Sequence, residues 1–443
     1  MPRLAPSLFR RAGRISPHLA TLLPACRTIE SAQAELRWIR AHALSASQSR
    51  AEGSGSGSGP GSDGRGRGRG KTQMEARVAR LVERRGTGEP LQYVLGSQPF
   101  ADLDVRCKKG VLIPRPETEA WASTLADLVF SSSGYWRKGE GGNEGREGEG
   151  QELRILDLCS GTGCIGLSLY ARGTALRQRG DNTPLGLRLF GFDLEPRAVR
   201  LARRNLLRNF RDSSTHNAVA FQKADIFTDE WMARLEDVES SSRKNEDESK
   251  EVRLRRIDLL VSNPPYISQR GFATDTGRSV RNYEPKLALV PPSPISTATP
   301  SASTPCAPED VFYARLLDIA AVLRPRIAVF EVGDMRQAVR VAEMAIARSP
   351  GEGQAVDKSG DGNGDGDGDE PNESRGPRWD VVEIWRDWPD WRPEDAEEDL
   401  VLVGGREVPV RGSGHGRVVF LVEGAMMRNR YTNRGFRREV YVG

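Results

Sequence analysis

Short apolar runs alternate with segments of helical periodicity along most of this chain. Residues 154–158 (RILDL) form one such run, and a glycine-containing turn connects it to the helical segment CIGLSLYAR. Residues 187–192 (LRLFGF) form a second run, and the amphipathic segment EPRAVRLARRNLLRN follows it. Strands that alternate with amphipathic helices predict a parallel, doubly wound sheet.

Further apolar runs extend this sheet. Residues 218–227, 257–266 and 326–333 predict three more strands, and the helical segments FYARLLDIAAVL and MRQAVRVAEMAIAR flank the last of them. Residues 379–385 and 416–423 predict an antiparallel hairpin at one edge. Before the sheet, SAQAELRWIRAHAL and MEARVARLVERR have helical periodicity. We therefore expect an α/β fold with a Rossmann-like sheet, preceded by a small helical N-terminal domain.

Five low-complexity stretches interrupt these elements, so a chain of 443 residues with 47 glycines and 27 prolines need not hold several domains. Such compositions do not bury enough apolar surface to offset the entropy of ordering, and we expect linkers or loops there. The stretches are residues 53–70, 139–150, 236–251, 291–308 and 360–370.

These elements and stretches predict the order of domains. A presequence-like segment comes first, followed by a helical domain with a Gly/Ser/Arg linker, a connector, the α/β domain with three inserts, and a basic tail. The predicted ranges are, in that order, 1–29, 30–95 with its linker at 53–70, 96–152, 153–424 with inserts at 236–251, 291–308 and 351–376, and 425–443.

Composition excludes several classes of protein. No apolar run approaches the ~18 residues that span a bilayer, which argues against a membrane protein. The five cysteines form no CxxC pair, so we expect neither a metal site nor a disulfide framework. The 65 Lys and Arg nearly balance the 61 Asp and Glu, so no large nucleic-acid footprint is expected.

The first 29 residues lack acidic residues and contain five arginines among Ser, Thr, Ala and Leu. This composition is typical of a mitochondrial presequence and predicts import into the matrix. A disordered basic tail is the alternative.

The turn after the first strand is a candidate nucleotide site. Asp157 lies at the end of that strand, and Gly161 and Gly163 lie in the turn that enters the helix, within DLCSGTGC. Glycines allow the backbone to approach a ligand closely, and a helix N-terminus offers free amides. This turn lacks the P-loop pattern, which argues against a nucleoside triphosphate, whereas residues 161–166 (GTGCIG) fit GxGxxG, so the glycines alone do not separate a dinucleotide from an adenosyl ligand.

Two further acidic residues end the next strands. Asp193 ends the second strand, where its carboxylate could accept hydrogen bonds from both ribose hydroxyls. Asp225 ends the third, where it could bind an adenine amino group while Ile226 or Phe227 covers the ring. Helix capping is the alternative role for each carboxylate. Together with the glycine turn, these carboxylates favour an adenosyl ligand without a diphosphate, namely S-adenosylmethionine.

The residues Asn263, Pro264, Pro265 and Tyr266 follow the apolar run IDLLVS. Ligands of open α/β sheets bind at the carboxyl ends of strands, so this tetrapeptide is expected to face the cofactor. The Asn263 side-chain carbonyl and the Pro264 backbone carbonyl can each accept one N–H of a planar NH2 group. Tyr266 can pack against that group, which positions its nitrogen for methyl transfer. A rigid Pro-Pro turn is the alternative reading.

With these motifs the chain resembles the HemK family of protein glutamine N5-methyltransferases, which methylate the glutamine of the GGQ motif in class I peptide-chain release factors. The tetrapeptide NPPY is shared with DNA adenine methyltransferases. More selective are residues 88–100 (GEPLQYVLGSQPF), 110–119 (GVLIPRPETE), 279–289 (SVRNYEPKLAL) and 330–333 (FEVG). The similarity starts at Gly88 and continues, with insertions, to about Val422.

The resemblance implies S-adenosylmethionine as the cofactor and a class I release factor as the protein partner. It also implies roles for individual residues. Arg115 to Glu119 would shape the acceptor channel, unless Pro114 and Pro116 only fix a loop. Cys159 stands where the family often has glycine, and the helical domain looks shortened and split. The expected cofactor site comprises Asp157, Cys159, Ser160, Gly161, Thr162, Gly163, Asp193, Asp225, Ile226 and Asn263, and the substrate glutamine would be held by Asn263, Pro264, Pro265 and Tyr266.

The favoured function is thus a mitochondrial release-factor glutamine methyltransferase, expected to be a monomer without a membrane partner or a nucleic-acid substrate. One alternative is a methyltransferase that acts on a nucleic-acid base amino group or on a ribosomal-protein glutamine. Another is a non-catalytic assembly factor with the same fold. The nearly neutral charge argues against the base, and the intact NPPY and acidic set argue against the assembly factor.

Overall fold

The computed structural model describes residues 3–53, 65–130, 152–178, 186–233, 235, 257–292, 306–349 and 377–423. The chain divides into two compact units. The helical unit comprises Met1–Gln98, Arg106–Ile113 and Asp275–Pro285, and the α/β unit comprises Pro99–Val105, Pro114–Thr274 and Lys286–Gly443.

The helical unit contains six helices within its described residues. They are α1 (Pro6–Ile15), α2 (Pro17–Cys26), α3 (Ile29–Gly53), α4 (Arg65–Gly86), α5 (Leu91–Leu95) and, from the last segment of the unit, α11 (Arg278–Tyr283). Apolar residues of α2, α3 and α4 form its core, among them Leu19, Leu22, Leu23, Ile39, Val78 and Val82. A bidentate ion pair between Arg85 and Glu35 joins α4 to α3 at 2.6 and 2.9 Å.

The first two helices are part of this core, so the helical domain begins earlier than the boundary predicted at residue 30. Leu22 and Leu23 have no exposed surface. Gly86 packs so closely on α2 that a Cβ atom there would lie 2.6 Å from the Thr21 carbonyl oxygen. The apolar side chains of α2 are buried because α3 and α4 present apolar faces to them. The compact helical unit therefore includes residues of the predicted presequence.

Two other boundaries differ from the prediction. Helix α4 starts at Arg65, so residues 65–70 of the predicted linker are helical. Once a helix is nucleated, each added residue contributes one backbone hydrogen bond, which offsets the helix-destabilising effect of the glycines. Helix α6 (Pro116–Phe130) lies in the predicted connector but belongs to the α/β unit, where Trp121 and Leu125 are fully buried. The connector is thus partly core.

Several predicted low-complexity stretches lie outside the described residues. They include residues 54–64, 139–150, 236–251, 293–305 and 351–376, together with the predicted basic tail 425–443.

The remaining helices and strands, apart from α6, are as follows. A separate two-stranded sheet contains β1 (Ser97–Phe100) and β2 (Leu103–Arg106). The main sheet contains β3 (Glu152–Leu158), β4 (Gly186–Asp193), β5 (Val219–Lys223), β6 (Leu259–Ser262), β7 (Ile327–Glu331), β8 (Trp379–Trp388), β9 (Leu400–Val403), β10 (Arg406–Arg411) and β11 (Ser413–Glu423). The helices are α7 (Cys164–Gln178), α8 (Pro196–Asn209), α9 (Ser213–Ala218), α10 (Gln269–Thr274), α12 (Val311–Leu323) and α13 (Met335–Arg348), with 3-10 turns at Lys286–Ala288 and Pro308–Asp310.

The strand order of the main sheet is β5-β4-β3-β6-β7-β11-β8-β10-β9. Strands β3 to β7 are parallel, and β11 runs antiparallel to both β7 and β8. The predicted doubly wound sheet and antiparallel pair are thereby confirmed. The sheet continues beyond that pair with the hairpin β9–β10, which the sequence analysis missed. Its turn residues Gly404 and Gly405 both have positive φ, and Gly-Gly between two apolar runs was an available hairpin signal.

Both faces of the sheet are covered, which explains why its central strands are almost continuously apolar. Along β3, Ile155 packs in the same cluster as Trp121 of α6 and Leu167 of α7. The next residue, Leu156, packs in the cluster that contains Leu316 of α12 and Val341 of α13. The chain order reverses between β3 and β6, so the topological switch point lies between their carboxyl ends. Among the described helices, none combines the length and apolar character needed to cross a membrane.

Candidate active site

The carboxyl ends of three strands meet at the switch point. Leu158 of β3 pairs with Phe192 of β4 on one side and with Ser262 of β6 on the other. The Ser262 hydroxyl donates a 2.7 Å hydrogen bond to the Leu158 carbonyl oxygen, which joins the ends of β3 and β6. The predicted glycine turn, Asp193 and the NPPY segment therefore leave the sheet at one edge.

The turn after β3 is built from left-handed backbone. Gly161 and Gly163 have φ values of 55° and 77°. A Cβ atom at Gly163 would lie 2.8 Å from Cζ of Phe221, so this position needs glycine for space as well as for conformation. The Ser160 amide donates to the Phe192 carbonyl oxygen at 3.0 Å, and the buried Thr162 accepts a 2.9 Å bond from Nδ2 of Asn205 through its carbonyl oxygen.

Cys159 shares this left-handed conformation, with a φ of 60°. A residue with a Cβ atom is strained there, so the substitution of cysteine for the glycine common in the family keeps the turn at a conformational cost. Burial raises the pKa of the Cys159 thiol, and the nearby Asp193 carboxylate raises it further. The thiol therefore stays protonated at neutral pH.

Asp193 connects the end of β4 to the glycine turn. Its Oδ2 accepts a 2.8 Å hydrogen bond from the Gly161 amide, and its Oδ1 accepts one of the same length from the Glu195 amide. Burial raises the pKa of Asp193, while these two amides oppose that rise. A carboxylate oxygen accepts about two hydrogen bonds, so each oxygen keeps capacity for a ribose hydroxyl.

Asp157 lies beneath the turn and is fully buried. Its Oδ2 accepts a 3.1 Å hydrogen bond from the Gly166 amide. Burial raises the pKa of Asp157 to about 7, with a smaller contribution from the negative charge of Asp193. Its Oδ1 and the Ser160 hydroxyl are buried without a hydrogen-bond partner among the described residues.

These two buried polar atoms test whether the residues fit S-adenosylmethionine. Buried acceptors and donors are nearly always satisfied, so an unsatisfied pair beside a glycine turn indicates a polar ligand. A Cβ atom at Gly161 would meet only a backbone oxygen, at 4.0 Å, so the turn is open on that side. The carboxylates of Asp157 and Asp193 beside this turn suit the amino group and the ribose hydroxyls of this cofactor.

Asp225 and Ile226 follow β5 at the same edge. The Ala224 amide donates to the Asp193 carbonyl oxygen at 3.0 Å, which fixes the end of β5 against β4. Asp225 is exposed and accepts a 3.0 Å bond from the Phe227 amide, whereas Ile226 is buried. The structure thus brings together the glycine turn, Asp193 and the pair predicted to contact adenine.

The NPPY segment lies at the end of β6. Asn263 is partly buried, and its Nδ2 lies 3.5 Å from Oγ1 of Thr118. The Tyr266 hydroxyl lies 3.4 Å from Oε1 of Glu331. The backbone carbonyl oxygen of Tyr266 accepts a 3.3 Å hydrogen bond from Nε2 of Gln337. Burial and the charge of Glu331 raise the pKa of Tyr266, so its hydroxyl stays protonated. Pro264 and Pro265 are buried, which restrains the backbone between these anchors.

Thr118 and Glu331 support this segment; Thr118 lies within residues 115–119, which were expected to shape the acceptor channel, whereas Glu331 was not selected from the sequence. Both belong to motifs that carried the family resemblance, GVLIPRPETE and FEVG, but neither motif shows which of its side chains meet in the fold. Glu119, predicted to help shape the acceptor channel, accepts a 2.8 Å bond from the Ala101 amide. No group of three His, Cys, Asp or Glu residues in the described ranges is arranged to hold a metal ion.

Comparison with known proteins decides the family. No family model matches the chain. The mitochondrial MRF1 N(5)-glutamine methyltransferase MTQ1 of Saccharomyces cerevisiae is 31% identical over 293 residues, which are 66% of this chain and 68% of that protein. The chain belongs to the HemK family of protein glutamine N5-methyltransferases.

A bacterial member and a solved structure show how far the similarity extends. The release factor glutamine methyltransferase of Nitratidesulfovibrio vulgaris is 30% identical over 213 residues, 48% of this chain, and the chain spans about half of it, 53%. The hMettl16 catalytic domain in complex with MAT2A 3'UTR hairpin 1 aligns over 77% of this chain and 80% of its own at 11% identity, with a TM-score of 0.35. Similarity at that level assigns no function. The fold of this HemK-family chain is described by its own strand order and by the residues at its switch point, without reference to that solved structure.

Proposed function

We propose that this chain transfers a methyl group from S-adenosylmethionine to the N5 nitrogen of the glutamine in the GGQ motif of a mitochondrial class I peptide-chain release factor. The observation that carries the proposal is the position of Asn263 to Tyr266 at the end of β6, directly beside the glycine turn of β3. The names of the HemK-family relatives support the same reaction and substrate.

The residues of the NPPY segment perform positioning rather than proton chemistry. An amide nitrogen is a poor nucleophile because its lone pair is delocalised into the carbonyl group. Two acceptors, Oδ1 of Asn263 and the Pro264 carbonyl oxygen, each bind one N–H of the substrate amide and raise the electron density on its nitrogen. The Tyr266 ring packs against the planar amide, and the nitrogen is held in line with the methyl group. The cofactor, when bound, would supply that methyl group from its sulfonium and be left as the thioether. As the N–CH3 bond forms, the substrate nitrogen loses one of its two N–H protons to solvent.

The cofactor is held on the other side of the switch point. The turn from Cys159 to Gly163 and the buried Asp157 bind its methionyl part, and Asp193 binds the ribose hydroxyls. Asp225 and Ile226 contact adenine. Each assignment rests on the atoms described above, namely unsatisfied buried polar atoms, spare acceptor capacity and a buried aliphatic side chain at the expected strand end.

The proposed compartment is the mitochondrial matrix, and the protein is proposed to act as a monomer. The name of the S. cerevisiae relative supports mitochondria, and the basic, acid-poor residues 1–29 support import. Because Leu22 and Leu23 are core residues, we expect the imported protein to retain α2. N-terminal sequencing of the protein recovered from mitochondria checks this, and a mature protein that begins after Cys26 would contradict it.

A labelling experiment tests the proposed reaction. The protein is incubated with labelled S-adenosylmethionine and a mitochondrial class I release factor, or with a release factor whose GGQ glutamine is replaced by alanine. Mass spectrometry should locate the label on that glutamine and find none on the alanine variant. Label on the variant, or on neither protein, would overturn the proposal. Label on RNA or on a ribosomal protein in a mitochondrial extract would favour the alternative substrates.

A variant tests the role of Asn263. Asn263→Ala should lower turnover by ~10²-fold or more, because it removes an acceptor that acts on the reacting nitrogen. Its affinity for the cofactor, measured by titration calorimetry, should change little. An equal loss of cofactor affinity would contradict the role assigned to Asn263.

A further inference from the structure

A buried carboxylate lies directly behind the proposed acceptor site. Glu331, the last residue of β7, is 1% exposed. Its Oε2 accepts hydrogen bonds from the Thr118 hydroxyl at 2.7 Å and from Nε1 of Trp121 at 2.8 Å. Its Oε1 lies 3.4 Å from the Tyr266 hydroxyl. Three donors from α6 and the NPPY segment therefore surround a group to which the methyl-transfer chemistry assigns no role.

The short bond to Glu331 determines how the Thr118 hydroxyl is used. Burial raises the pKa of Glu331, but the hydrogen bonds from Trp121 and Thr118 and the positive charge of Arg417 oppose that rise and favour the ionised form. An ionised carboxylate only accepts hydrogen bonds, and a hydroxyl has a single hydrogen to donate. Because Thr118 donates that hydrogen to Glu331, its oxygen can only accept from any other neighbour. Within the described part of the chain, the other side chain in hydrogen-bonding range of the Thr118 hydroxyl is the Asn263 carboxamide.

An asparagine side chain presents either its NH2 group or its oxygen in a given direction. The Thr118 oxygen, as an acceptor, selects the NH2 group, so Oδ1 of Asn263 points away from it. The 3.5 Å separation between Nδ2 and Oγ1 is long for a hydrogen bond, as is common in an active site before substrate binds. The opposite orientation would place two oxygens against each other.

We propose that Thr118 and Glu331 are positioning residues that fix the orientation of the Asn263 carboxamide, so that the site presents an acceptor to the N–H group of a substrate carboxamide. This proposal rests on the proposed function. It adds a reason for selectivity: with Oδ1 fixed outward, the site accepts the NH2 end of glutamine and repels the oxygens of a glutamate at the same position.

The chain offers a matched control on the same helix. Thr124 is buried like Thr118, and its hydroxyl donates to a carboxylate oxygen, Oδ2 of Asp390, at 2.6 Å. Among the described residues, no hydrogen bond joins Thr124 to the NPPY segment. Replacement of either threonine by valine keeps the shape and removes a hydroxyl donor from a carboxylate. Because Asp390 is exposed and can bind water in place of the hydroxyl, Thr124→Val should cost less stability than Thr118→Val, whose carboxylate partner is buried.

The experiment compares four proteins: the wild type, Thr118→Val, Thr118→Ser and Thr124→Val. Methylation of the release factor is measured for kcat and KM, cofactor affinity by calorimetry and stability by urea unfolding. Thr118→Val should lower kcat about 10-fold or more with cofactor affinity within about twofold, because only the orientation of an acceptor is lost. Thr118→Ser, which keeps the hydroxyl, should restore kcat to within about threefold of the wild type. Thr124→Val should retain the kcat of the wild type.

A second variant tests the role of Glu331. Glu331→Gln gives Thr118 a partner that can donate as well as accept. The Thr118 hydroxyl is then no longer restricted to donating its hydrogen to residue 331. Its kcat should fall, and in the double variant Thr118→Val, Glu331→Gln the two losses should not multiply, because both act through Asn263. If the two kcat losses multiply in the double variant, Thr118 and Glu331 do not act through the same group.

The outcomes separate this proposal from the proposed function. If the wild type does not label the release factor, the proposed function fails and the positioning role falls with it. If the wild type labels the release factor and Thr118→Val retains the kcat of Thr124→Val, only the positioning role is overturned. A Thr118→Ser variant as slow as Thr118→Val would also overturn it, since the hydroxyl would then not be the group that matters.

Discussion

The backbone amide of Gly161 donates a 2.8 Å hydrogen bond to Oδ2 of Asp193, so the carboxylate at the end of β4 holds the glycine turn that follows β3. The same side chain fixes the start of the next helix through the Glu195 amide. One residue thus supports the two backbone segments that border the proposed cofactor site. Loss of this carboxylate should affect both the shape of the site and its direct contacts.

Asp193→Ala should therefore weaken S-adenosylmethionine binding by about 100-fold or more, the loss expected when two hydrogen bonds to a charged group disappear. Asp193→Asn keeps one acceptor and should give an intermediate loss. Titration calorimetry measures both. Asp212→Ala is the control, because Asp212 also accepts from a backbone amide, that of Ser214, but lies at the start of α9. Unchanged affinity in Asp193→Ala would contradict the assignment.

Cys159 should tolerate glycine better than a β-branched residue. Its φ of 60° is strained for any side chain and most strained for a β-branched one. Cys159→Gly should change the free energy of unfolding by less than about 1 kcal/mol, since relief of strain and the added flexibility of the unfolded chain oppose each other. Cys159→Val should destabilise by about 1–3 kcal/mol. Urea unfolding of the three proteins decides this, and equal stabilities would show that the turn relaxes.

Asp157 should make the stability of the cofactor-free protein depend on pH. Its pKa is raised from 3.8 to about 7, so the folded protein binds the proton more tightly than the unfolded chain. This contribution is complete below about pH 4 and is lost as pH rises to about 7, with a total of up to about 4 kcal/mol. Above pH 7 it should change no further.

Urea unfolding at pH 5 and pH 7 measures this contribution for the wild type and for Asp157→Asn, which keeps an oxygen for the Gly166 amide. The wild type should lose more stability than the variant over this interval. Because Asp193 and Glu331 titrate in both proteins, the difference between the two proteins isolates Asp157. Parallel profiles would contradict the raised pKa.

Leu22 should contribute to the stability of the helical unit although it lies in the segment predicted as a presequence. It has no exposed surface, so Leu22→Ala should cost about 2–5 kcal/mol. Ile15, at the end of α1, is 59% exposed, and Ile15→Ala serves as the control. Hydrogen exchange in α3 and α4 should increase for Leu22→Ala and not for the control. Equal exchange in both would place α2 outside the cooperative core.

The fold was largely accessible from the sequence because its signals are local. A parallel sheet covered on both faces requires continuous apolar strands, and amphipathic helices between them are visible from their period. The hairpin β9–β10 was missed because its strands are short, and the packing of α2 was not predicted because a basic, acid-poor segment has the composition of an import signal whether or not its leucines are buried. Burial of Leu22 depends on the faces of α3 and α4, which no local pattern records.

Some residues of the candidate site were likewise predictable from local sequence, and others were not. Asp157, the glycine turn, Asp193 and the NPPY segment were predictable as candidate-site residues from the sequence, because each follows an apolar strand and the carboxyl ends of parallel strands meet at one edge. The fold was needed to show that Thr118, 145 residues before Asn263, lies beside the Asn263 carboxamide and donates its hydroxyl to Glu331, 68 residues after Asn263. Hydrogen-bond direction between distant side chains depends on how helix α6 packs on the sheet, and that packing is a property of the whole fold.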